Sequence, residues 1–102
     1  MRETSVRHLL VTSTFQRAAK RAAKQHPELV AAIKDTLETL SANMFSPSLR
    51  THKLHGELRG YWACSVRYDW RIVFGIGDPV EIDGVTAETI TLFTMGTHDE
   101  VY

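Results

Sequence analysis

The stretch THKLHGELRGYWACSVRYDWRIVF, residues 51–74, decides how this chain is read. Trp62, Cys64 and Val66 alternate with Ala63, Ser65 and Arg67, a period of two that predicts a strand. Tyr68 and Asp69 read as a turn, and Ile72, Val73 and Phe74 as the apolar centre of the next strand. Leu54, Leu58, Trp62, Val66, Ile72 and Phe74 are the candidate core of this stretch. Threaded through it are His52, Lys53, His55, Arg59, Arg67 and Arg71, among the rings of Tyr61, Trp62, Tyr68 and Trp70.

Before this stretch the period is helical. Residues 6–11 suggest a short strand with Leu9 and Val11 on one face, and Ser13 or Thr14 can cap a following helix. Phe15, Ala18, Ala19 and Ala22 then form one apolar stripe, while Arg17, Lys20, Arg21 and Lys24 form a basic ridge on another face. His26-Pro27 interrupts the helix, because proline disfavours helix in the residue before it and suits the start of a new one. Leu29, Val30, Ile33, Leu37 and Leu40 make a second stripe, which fades at Asn43 and stops at Pro47. After the quoted stretch, Gly75, Gly77, Asp78 and Pro79 break the strand, and a polar loop runs through Asp83-Gly84. Residues 89–95 form a last strand around Ile90, Leu92 and Phe93. Helices first and strands after predict an α+β fold, an N-terminal helical hairpin packed on a twisted antiparallel sheet whose other face stays open.

At 102 residues, 43% hydrophobic and 24% charged, the chain reads as a single domain over residues 1–102. Lys plus Arg equals Asp plus Glu at 12 each, which excludes a strongly basic nucleic-acid module as a whole. The charges are segregated, however. Residues 1–71 hold all twelve basic residues and six acidic ones, a net +6, and residues 72–102 carry the remaining −6. Steering depends on such local potential and not on the total. A single cysteine, Cys64, excludes a disulfide framework and a cysteine-based zinc site. No apolar run approaches the roughly 20 residues of a membrane span, and the N-terminus has no signal-peptide pattern, so a cytoplasmic protein with no membrane partner is expected. His52, His55 and His98 with Asp69 or Asp99 lack any strong metal-ligand spacing, and no nucleophile elbow, P-loop or dinucleotide fingerprint is present. No metal or cofactor is expected. Cations interleaved with flat rings suit single-stranded RNA, with charge for phosphates and π faces for bases.

The pattern His52-Lys-Leu-x-Gly56-x-Leu58-x-Gly60-Tyr-Trp62, followed by Asp69-Trp70-Arg71-Ile-Val-Phe74 and Gly96-Thr-His98, resembles the RelE/ParE toxin superfamily, and within it the YafQ-like toxins. The resemblance runs over nearly the whole chain. It implies a RelE-like, microbial-RNase-like fold and a toxin paired with a cognate antitoxin. It further implies a ribosome-dependent endoribonuclease that cleaves mRNA in the A site without a metal. The implied reaction is attack of a ribose 2′-OH on the adjacent phosphate, which needs a base, an acid for the leaving 5′-oxygen and cations for the developing charge.

Carried over by position, His52, Asp69 and His98 are the implied proton-transfer groups and Arg71 the implied phosphate contact. Trp70 and Tyr102 are implied base contacts, and Lys53, His55, Arg59 and Arg67 are candidate RNA phosphate contacts. Ser65 departs from the pattern, standing where YafQ-like toxins have a further active-site histidine. Each residue also has a plainer role open to it. These are a turn carboxylate for Asp69, a cross-strand ion pair for Arg71, a half-buried strand position for Trp70 and a solvated surface for the rest. The basic ridge of the first helix suits ribosomal RNA or an acidic antitoxin segment. The superfamily also leaves open a ParE-like gyrase inhibitor that acts by binding, and a catalytically weakened homologue.

Overall fold

Thr12 begins the first helix. Its extended backbone lets Oγ1 accept from the Phe15 N–H at 3.0 Å, while the same hydroxyl donates to the Leu92 carbonyl at 2.8 Å. The cap is therefore one residue earlier than Ser13, because only Thr12 reaches both the helix and the sheet. The computed structural model describes residues 7–67 and 69–101. In chain order the elements are β1 (His8–Val11), α1 (Ser13–Gln25), α2 (Leu29–Ala42), β2 (His52–Lys53), β3 (Trp62–Ser65), β4 (Trp70–Ile82), β5 (Val85–Thr97) and the one-turn α3 (His98–Val101). Single 3-10 turns at Pro47–Leu49 and Gly56–Leu58 flank β2.

The sheet order is β1-β5-β4-β3-β2. Strands β2 to β5 pair antiparallel, as expected, and β1 joins the edge parallel to β5. The helical hairpin carries the chain across the sheet between β1 and the remaining strands, which is the connection a parallel neighbour needs. Leu9 packs on the core, but Val11, at the end of this edge strand, is exposed.

The helical stripes pack as their spacing requires. Phe15 and Ala22 of α1 and Leu29 and Leu40 of α2 are buried against Cys64, Ile72, Phe74, Leu92 and Met95. Val30 is 55% exposed, because it lies about 100° around the helix from Leu29 and leaves the stripe.

Two expectations are corrected. The residues Gly75, Gly77, Asp78 and Pro79 do not end β4. The strand continues to Ile82 and pairs with β5 over its whole length, with a register shift between Gly77 and Val80. Proline is tolerated at such a bulge, and the Thr89 hydroxyl satisfies the Asp78 carbonyl at 2.9 Å. The connection is only Asp83-Gly84, with φ of 51° and 80°, the left-handed pair that a two-residue hairpin turn demands. The loop expected there is thus a projecting β-ribbon bearing Asp78, Glu81, Asp83 and Glu88, four of the six acids of the C-terminal third.

The sheet face away from α1 and α2 is also not open. Leu54, Ala63 and Val73 are buried there, joined by Leu58, Tyr61, Phe93 and Val101. Ile72, Val73 and Phe74 are all fully buried for this reason, since alternate side chains enter different cores. The cover comes from the chain around residues 54–61 and from α3.

Candidate active site

Strand register places the candidate residues. Ser65, Arg71 and Gly96 are register partners across β3, β4 and β5, and Ala63 and Val73 are partners one step along. His52 pairs with Ala63, so His52, Ser65 and Arg71 share the face of the second apolar cluster. Trp70, Ile72 and Cys64 share the opposite, helix-facing side.

Asp69 and His98 meet at one end of this sheet. The His98 N–H donates to the Asp69 carbonyl at 2.9 Å, and Trp70 pairs with Thr97 between them. Both side chains are exposed, and His98 Nδ1 lies 3.7 Å from Asp99 Oδ1. Arg71 follows directly on β4. Its Nη1 donates to the Trp70 carbonyl at 3.0 Å and lies 3.4 Å from the Arg67 carbonyl, which ties the guanidinium to the β3–β4 turn. A guanidinium is a planar fork of N–H donors whose geometry suits an oxyanion. His52 Nδ1 lies 3.0 Å from the Arg50 carbonyl. A carbonyl only accepts, so this contact puts the proton of the neutral ring on Nδ1 and the lone pair on Nε2.

A groove of about 680 Å³ lies beside His52, while Asp69, Arg71 and His98 are not among its lining residues. His52 to Leu58 form one wall, and Glu100 and Val101 of α3 form the other. Around α3 lies a second groove of about 370 Å³, also lined by Leu58, Glu100 and Val101, and by Arg17 and Arg21 of the basic ridge. The ridge therefore borders the same short helix as the candidate catalytic groups.

The candidate RNA contacts are spread more widely. His55, exposed, lies on the wall of the larger groove. Arg67 lies in the β3–β4 turn near Asp69, whereas Arg59 precedes β3 at its other end, and both are exposed. Lys53 is also at the groove, but its register partner is Trp62, and its ammonium sits 5.5 Å from that ring's centroid. Trp70 is half-buried on the helix side, with its ring edge-on to His26 at 5.5 Å. Tyr102 and Tyr68 lie outside the described residues. Among the described residues no group of three or more His, Cys, Asp or Glu side chains could hold a metal ion. Among them too, no helix is long and apolar enough to cross a membrane.

Reading the residues one at a time misses the device that holds α3. Glu100 Oε1 accepts from the Thr97 N–H at 2.8 Å, and this bond, with that of the Thr97 hydroxyl, holds the Glu100 carboxyl below the usual carboxylate range. Thr97-x-x-Glu100 has the spacing of a capping box, and its carboxylate-to-backbone half is formed here. Gly96 makes room for it. A Cβ there would lie 3.0 Å from Glu100 Oε1 and 3.0 Å from Val101 Cγ1.

Solved structures that superpose on this arrangement of elements include bacterial toxins. A crystal structure of YafQ from E. coli strain BL21(DE3) superposes with a TM-score of 0.74 at 19% identity, covering 94% of this chain and 98% of that one. YafQ in the E. coli DinJ–YafQ complex gives 0.72 at 20% identity over 94% and 98%. A YoeB/ParE toxin from Agrobacterium tumefaciens gives 0.70 at 15% over 89% and 98%. At these identities the likeness establishes the fold. A family model described as the bacterial toxin of type II toxin–antitoxin systems, YafQ, matches residues 7–102. The chain belongs to that family. A search of curated protein sequences returns no match.

Proposed function

We propose that this toxin is a ribosome-dependent endoribonuclease that cleaves mRNA in the A site. The observation that carries the reading is the end of the sheet where β4 begins and β5 ends: there the His98 N–H bonds the Asp69 carbonyl, and Arg71 follows on β4 in register with Gly96. In this reading the Arg71 fork binds the scissile phosphate and stabilises the charge that builds on it. The 2′-OH attacks phosphorus, the P–O5′ bond breaks, and a 2′,3′-cyclic phosphate and a 5′-hydroxyl result. In this reading His98 and His52 share the proton transfers. Asp69 orients the imidazole or takes part in the transfer. No step is routed through a metal or cofactor. Ser65 lies next to Arg71 in register, so one fewer titratable group shares the work than the family pattern has.

The Arg17–Lys20–Arg21–Lys24 ridge, with Lys53, His55, Arg59 and Arg67, supplies phosphate contacts to ribosomal RNA and mRNA. Trp70 and Tyr102 are assigned to mRNA bases. The whole of residues 1–102 acts as one toxin domain in the cytoplasm, restrained by a cognate antitoxin, as the E. coli relative is seen with DinJ. Primer extension on a translated mRNA, with and without ribosomes, tests the reading. Cuts that need ribosomes support it. Intact mRNA with trapped gyrase–DNA complexes would replace it with the ParE-like alternative.

A further inference from the structure

Helix α3 has four residues, too few to hold its shape by intrinsic propensity. Its geometry therefore depends on tethers. Val101 packs into the second apolar cluster, and the His98 N–H is held by Asp69. Neither tether fixes the turn between them. That turn is closed by Glu100, whose carboxylate reaches back 2.8 Å to the N–H of Thr97, the residue directly before His98. Gly96 leaves the space in which the carboxylate lies, and Arg21 of α1 faces it across the smaller groove.

We propose that Glu100 is a positioning residue for His98, fixing the first turn of α3 so that the imidazole is presented beside Asp69 and Arg71. The inference rests on the nuclease reading above. Glu100 touches no reacting atom in it. The negative charge is poorly suited to contact RNA, and its place in the wall is explained by the hydrogen bond it closes. An imidazole displaced by about 1 Å loses on the order of a hundredfold in rate. The acceptor oxygen is what matters, so a carboxamide at this position retains the function.

The test compares wild type, Glu100→Ala and Glu100→Gln as full-length toxins on ribosomes programmed with one mRNA. It reads kcat, the ribosome concentration at half-saturation, and hydrogen-exchange protection of the Thr97 amide. Glu100→Ala is expected to lower kcat about 10- to 100-fold, leave half-saturation within about threefold, and abolish Thr97 protection. Glu100→Gln is expected to keep the protection and to stay within about threefold of wild-type kcat. Full kcat in Glu100→Ala beside an active wild type overturns this inference alone. Equal loss in Ala and Gln overturns it too, since charge would then be the requirement. A wild-type toxin that cuts no mRNA overturns the nuclease reading and this inference together.

Discussion

Replacing Gly96 with alanine tests the packing of α3 on the sheet. The added Cβ would sit 3.0 Å from Glu100 Oε1, 3.0 Å from Val101 Cγ1 and 3.2 Å from Glu100 Cβ. Ordinary carbon contacts lie near 3.5–4.0 Å, so the helix must retreat by roughly half an ångström. Overpacking in a closed core costs about 1–3 kcal/mol. Here the obstructing atoms belong to side chains of a single exposed turn, which can yield. Alanine also gains roughly 0.5–1 kcal/mol over glycine within a strand. The two effects nearly offset, so global stability should change by about 1 kcal/mol or less. The Thr97–Glu100 bond should be lost in the process. Urea unfolding gives the first quantity, and exchange of the Thr97 amide gives the second. Wild-type Thr97 protection in Gly96→Ala would refute the reasoning. So would a loss of more than about 3 kcal/mol, because it would mean that α3 is as rigid as the core.

Other consequences are direct. Phe74→Ala should cost about 3–5 kcal/mol in denaturant unfolding, because Phe74 is fully buried between sheet and helices. Gly84→Ala should cost about 1–2 kcal/mol, since its φ of 80° is left-handed, and circular dichroism melts would detect the fall. Burial pushes the Cys64 thiol up to about 12, so native protein should react with a thiol reagent only at the rate of unfolding. The raised thiol also means that the unfolded chain loses its proton first as pH rises. Stability should therefore fall by about 1.4 kcal/mol per pH unit from the thiol's ordinary value of 9.0 toward 12, and Cys64→Ala should flatten that slope. The Glu100 carboxyl, held low by Thr97, keeps its contribution above the unfolded carboxylate range and loses it as pH falls through the lower folded value.

The helical hairpin was legible because both stripes follow a 3.6-residue period, and Phe15, Ala22, Leu29 and Leu40 are buried where that period puts them. The β4–β5 ribbon was not. Gly75, Gly77 and Pro79 weaken any local strand signal, and the bulge that accommodates proline exists only because β5 pairs alongside. Asp83-Gly84 was the stronger clue, a two-residue hairpin turn between apolar neighbours. Around the site, sequence order puts Trp70 and Arg71 together, but the pleat sends them to opposite faces, and spacing within β4 already implies this. The seat of Lys53 by Trp62 is different, since it depends on the β2–β3 register. The second core could not be read locally either, because Val101 reaches Leu54 and Phe93 only after α3 folds back on the sheet.

Single-turnover cleavage of a ribosome-bound mRNA by wild-type toxin, Arg71→Ala and His98→Ala tests the central assignment most directly. Wild type should cut only when ribosomes are present, and each variant should fall by about 10²–10⁴-fold with its melting curve little changed. Undiminished cleavage by both folded variants, or wild-type cleavage of naked mRNA at the same rate, would contradict it.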